Sequence, residues 1–184
     1  MQIGVQFGKT RAAARRTQIR LGRLATGVAM REGVRAGELN GGVCMINFFS
    51  AFLNDDVAQA LMKAQRRPKK SVGDGLGDNE EVPDDRTDWD SYLQWFNTLG
   101  CPQAKLDDAL DHILHAASVA GIDHVGIGSD FDGVPALPTG LETAATLPRL
   151  TEGLQRRGLS DGEIEKVLGG NFMRTFAAIE NGRR

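Results

Sequence analysis

The chain has 184 residues, 41% hydrophobic and 25% charged, which is ordinary for one soluble domain with a real core and excludes collagen-like, low-complexity and disordered classes. No apolar run approaches the 18 or so residues of a membrane span and no h-region marks a secretory leader, so the expected compartment is the cytoplasm and no membrane partner is expected. The two cysteines, Cys44 and Cys101, are far apart and lack CxxC spacing, which argues for buried or half-buried thiols rather than a disulfide framework or a zinc ribbon.

The formal charge of −2 hides an asymmetry: residues 1–40 carry eight Lys/Arg against two Glu, and the remainder fourteen against twenty-two Asp/Glu. A basic arm can address nucleic acid. Here the arginines are interleaved with Ala, Gly and Leu, and Phe7 alone could stack on a base, so no nucleic-acid partner is expected. Gly22, Gly27, Gly33 and Gly37 interrupt any helix in this arm, which reads as poorly ordered. Gly4 to Gly8, followed by Lys9-Thr10, imitates a phosphate loop. It has three intervening residues instead of four, and no strand precedes it.

The character changes at Gly41-Gly42. Residues 43–49, Val-Cys-Met-Ile-Asn-Phe-Phe, form a nearly continuous apolar run, as expected of a strand buried on both faces. Asn54-Asp55-Asp56 then offers an N-cap for a helix through Val57, Leu61 and Met62 to about residue 66. Residues 67–86, rich in Gly, Asp, Glu and Pro without apolar period, read as a long surface loop. Trp89, Leu93 and Phe96 fall at helical spacing. Leu106, Leu110, Ile113, Leu114, Ala117 and Ala120 predict one face of a helix ended by Gly121.

A second short strand follows at residues 124–129 and runs into Ser129-Asp130-Phe131-Asp132-Gly133. Helix, tight turn and buried strand in that order make half of a parallel βαβ repeat. Residues 147–157, a helix capped by Ser160 and Glu163 through Leu168, and a helix over 171–179 with Phe172, Phe176 and Ile179 inward complete the pattern. In a parallel α/β architecture the C-terminal strand ends form the active-site face, which makes Asp130 a candidate catalytic carboxylate and Asp132 a weaker one. A turn-capping role is the alternative for both. The Asp130-Phe131-Asp132-Gly133 run also imitates part of a calcium loop, but the later ligands ending in a glutamate are missing.

The run from Asp111 to Glu142, DHILHAASVAGIDHVGIGSDFDGVPALPTGLE, resembles the most recognisable block of the membrane (renal) dipeptidase family of zinc metallopeptidases. The resemblance continues over residues 147–176 and reaches back to GGVCMINFFSAFL at 41–53, covering roughly residues 41–180. It implies an α/β fold, the C-terminal part of a (β/α)8 TIM-type barrel of the metal-dependent hydrolase kind, with residues 43–49 as strand 7 and 124–129 as strand 8. It implies two zinc ions, a dipeptide substrate, hydrolysis of the dipeptide amide bond, and for Asp130 a catalytic and substrate-binding role near the metals. The family's His-x-Asp pair, bridging glutamate, further zinc histidines and substrate arginine have no counterpart before Gly41.

Of the three histidines, His112 and His115 are an i, i+3 pair without the acid of an HExxH motif, and His124 sits where packing or hydrogen bonding is the ordinary role. None is expected to hold metal. The domain reading is a basic arm over 1–40 unlike the family, then an incomplete barrel over 41–184, inactive unless completed. A shifted frame or misplaced start would account for the arm. Open strand edges predict self-association, and a non-catalytic α/β interaction or remnant module is the alternative function.

Overall fold

The computed structural model describes residues 41–65 and 89–182. The basic arm, the phosphate-loop imitation and the long acidic loop lie outside the described residues. Strand β1 (Cys44–Asn47) leads into the short helix α1 (Ser50–Leu53) and then α2 (Asp55–Gln65). Helices α3 (Trp89–Thr98) and α4 (Leu106–Ala120) follow, and a 3-10 turn enters β2 (Val125–Ser129). Helices α5 (Leu147–Arg156), α6 (Asp161–Glu165) and α7 (Asn171–Asn181) close the order, α6 joining α7 through a single π-type turn over Lys166–Gly170.

The two strands pair in parallel, Cys44 with Val125, Met45 with Gly126 and Ile46 with Ile127. Asn47 then pairs with Ser129, a bulge that skips Gly128. The fold is therefore α/β with a parallel crossover, as the sequence pattern predicts. Strand β1 differs from expectation in one respect: Cys44 and Ile46 are buried, while Met45 and Asn47 are only half-buried. The cause is opposite Met45, where Gly126 has no side chain and the Met45 sulfur takes the space, 2.6 Å from where a Cβ would stand. That face of the sheet is thin, and the other face carries the core.

The core lies between the sheet and α4 to α6, with Phe48, Leu110, Ile113, Val125, Leu150 and Leu154 among its fully buried side chains. Each such side chain contributes about 1.5–3 kcal/mol by burial. A second cluster joins Phe49, Val57 and Leu61 to Tyr92, Trp95 and Phe96. The helix expected from the spacing of Trp89, Leu93 and Phe96 is α3, and its buried residues are Tyr92, Trp95 and Phe96, with Trp89 packed against the same cluster and the ring of Phe96 6.3 Å from that of Phe49.

The local signals act as read. The Asn54 side chain accepts from the Asp56 amide at 3.0 Å, and Gly121 ends α4 with φ +83°. The Ser160 amide donates to Glu163 at 2.8 Å in a capping box. One reading fails at the C-terminus. Phe172 and Phe176 are 49% and 48% exposed, stacked on each other beside exposed Leu168 and Met173, and are not inward. The residue that points inward is Asn171, 2% exposed, whose amide donates to the Ile122 and Val125 carbonyls at 2.7 and 2.8 Å. The backbone breaks at Gly169, whose φ and ψ are not helical, so α7 starts on its own phase with Asn171 toward the sheet and its apolar stripe turned off it. No helix among the described residues is long and apolar enough to cross a membrane.

Candidate active site

The parallel pairing brings the C-terminal ends of both strands to one side of the sheet. Asn47 ends β1, and Ser129 ends β2 with Asp130 next in the chain. Ser129 and Asp130 have φ of +41° and +71°, the two positive values outside glycine among the described residues. Aspartate enters that region more readily than most residues, whereas serine at Ser129 is held there against its preference, and such strain gathers at functional sites. What fixes Asp130 is a contact across 83 positions: the Asn47 Nδ2 donates to Asp130 Oδ2 at 2.8 Å.

The loop beyond is tied back to β1. The Phe48 amide donates to the Ser129 carbonyl and the Ser50 amide to the Ala136 carbonyl, both at 2.9 Å, while the Phe48 and Phe131 rings meet edge to face at 6.0 Å. Asp130 is exposed, as is Asp132 two residues on. Asp132 makes no hydrogen bond among the described residues, so the structure separates the two acids that sequence groups together. Asp130 alone has a built environment.

The histidines stand apart from this site. The His112 Nε2 bonds the Leu53 carbonyl at 3.0 Å, joining α4 to α1, and burial holds its pKa below the ordinary value of 6.5. The His124 Nδ1 bonds the Gly42 carbonyl at 2.8 Å, the hydrogen-bonding role its position suggested. Among the described residues no group of three His, Cys, Asp or Glu side chains converges as a metal site would need. The thiol of Cys44 is pushed up to about 11 by burial, which makes it inert as a nucleophile, and Cys101 is raised by the same cause.

Residues 35–184 match the family model for membrane dipeptidase (peptidase family M19). The chain belongs to the membrane dipeptidase family. Among curated proteins it is 34% identical over 91 residues to "Dipeptidase tcpJ" of Claviceps purpurea, covering 50% of this chain and 21% of that protein. It is 47% identical over 72 residues to "Dipeptidase ataJ" of Aspergillus terreus, covering 39% of this chain and 18% of that protein. The matched region is therefore about a fifth of the length of these relatives. Among solved structures it superposes on the probable dipeptidase PvdM from Pseudomonas aeruginosa with a TM-score of 0.58 at 25% identity, covering 82% of this chain and 40% of that one. A dipeptidase described as a metallopeptidase shares the fold at a TM-score of 0.50 and 21% identity, covering 79% of this chain and 30% of that one.

Sequence reasoning missed Asn47. It counted the residue within an apolar run, although a lone amide inside such a run at the C-terminal end of a strand needs a polar partner and is itself a signal.

Proposed function

We propose that this chain supplies the Asp130-bearing wall of a dipeptide-hydrolysing site, as the last two strands and C-terminal helices of an incomplete (β/α)8 barrel. Support comes from the family match, from relatives that are dipeptidases by name, and above all from Asp130 lying just past the C-terminal end of β2 in the grip of Asn47. A carboxylate placed there can accept a proton from the water that attacks the amide carbonyl and return it to the leaving amine. The same exposed carboxylate can contact the amino end of a dipeptide.

The family implies two zinc ions, and the described residues do not fit them. His112 and His124 are engaged by backbone carbonyls, and no third ligand joins either. We therefore assign no step of this chain's residues to the metal. Ligands and the remaining strands would have to come from elsewhere in a complete barrel. Among the described residues each strand has one partner, and the open edges favour association with more sheet.

The reading is tested by joining the chain to the upstream part of a related dipeptidase, in trans or as a fusion, and assaying a simple dipeptide. Hydrolysis should appear, and Asp130→Asn should lower its rate on the order of 100-fold, with circular dichroism and metal content unchanged. Near-parental activity in that variant would remove Asp130 from the mechanism.

A further inference from the structure

We infer that Asn47 is a positioning residue that holds Oδ2 of the Asp130 carboxylate by a hydrogen bond, and that the missing side chain at Gly133 leaves the room Oδ1 occupies, so that Oδ1 is the oxygen left unbonded for proton transfer. The inference rests on the proposed role of Asp130 but stands on separate geometry.

The orientation of the Asn47 amide follows from its neighbours. The Phe49 amide can only donate, and it meets Asn47 Oδ1 at 2.7 Å. That contact commits the oxygen, so the NH2 group is what faces Asp130 Oδ2 at 2.8 Å. The bulge opposite Gly128 makes this possible, because it sets Asn47 beside Ser129 and so one residue closer to Asp130 than a regular register would. On the other side, the 130–133 turn closes with the Gly133 amide donating to the Asp130 carbonyl at 3.2 Å. A Cβ on Gly133 would collide with Asp130 Oδ1. Gly133 does not have a positive φ, so alanine is conformationally allowed there and only the carboxylate excludes it.

A purely structural tie between strand ends is the rival account. Both partners reach solvent, where one hydrogen bond adds little stability. A role in holding the carboxylate predicts instead an effect on turnover, since a small misplacement of a reacting group is costly.

The whole chain, labelled with 15N-asparagine, tests the geometry without any need for hydrolysis. One Asn47 side-chain proton should be shifted downfield and protected from exchange. Asp130→Ala and Gly133→Ala should each return that pair to free-amide values, with the Asn54 amide, which bonds Asp108, and the buried Asn171 amide unchanged. Should Asp130→Ala lose the Asn171 signals through unfolding, Gly133→Ala and Asp130→Asn carry the comparison. Asn47 resonances unmoved in the folded variants would overturn the clamp.

The completed enzyme supplies the second arm. Asn47→Ala should lower kcat about 10- to 100-fold, well beyond any rise in KM, and add nothing in the Asp130→Asn background. Asn47→Asp, which keeps an acceptor for the Phe49 amide, serves if Asn47→Ala does not fold. A loss fully additive with Asp130→Asn overturns positioning. Near-parental activity of Asp130→Asn with the resonances behaving as described would instead count against the proposed function alone.

Discussion

The two ends of the two-stranded sheet are built on opposite principles. At the N-terminal end the last helix locks the strands down: Asn171 bonds the Ile122 and Val125 carbonyls, and Arg174 donates to Asp123 and Gly41 carbonyls at 2.7 and 3.2 Å. Lys166 adds an ion pair to the Asp123 carboxylate at 2.7 Å, which holds that acid below its usual range. Here side chains satisfy backbone groups that strand pairing leaves over. At the C-terminal end the arrangement is reversed, with two residues at positive φ and an exposed carboxylate held by a single amide. One end is tied down by side chains, and the other exposes the carboxylate to which the proposed function assigns the chemistry, the division expected of parallel α/β architectures.

The largest effect that separates the two ends should come from Asn171→Leu. It removes two hydrogen bonds from buried carbonyls and should cost on the order of 2–4 kcal/mol in chemical denaturation. A cost below about 1 kcal/mol would mean that the N-terminal end is not where the stability lies. At the other end Ser129→Gly should act in the opposite sense. Relief of its positive φ should stabilise the chain by about 1 kcal/mol, and destabilisation would show that the φ of +41° is not strained.

The smallest effect concerns the exposed aromatic pair of α7. Phe172→Gln with Phe176→Gln should change stability by about 0.5 kcal/mol or less, because both rings are half-exposed. The pair should also reduce association measured by light scattering. A large loss of stability would mean that these rings belong to the core after all.

Much of the local structure was legible because its causes are local. An apolar run after Gly41-Gly42, glycine at the end of α4, and Ser160 with Glu163 three residues on each act within a turn or a strand of their own position. The phase of the last helix was not legible, since a break at Gly169 resets the chain before Asn171 and leaves Phe172 and Phe176 off the sheet, and no periodicity within the helix records it.

The same distinction holds at the site. Sequence by itself determined the α/β alternation, the family, and Asp130 as the acid to examine, because strand, turn and motif are written contiguously. Only the tertiary structure decided that Asn47 and not Asp132 is the companion of Asp130, and that His112 and His124 serve carbonyls. Those contacts join residues 59 to 83 positions apart, and the one between Asn47 and Asp130 depends on a parallel crossover and a one-residue bulge that set the register between two strands. A shift of that register by one residue would turn Asn47 to the other face of the sheet, with the amino-acid sequence unchanged.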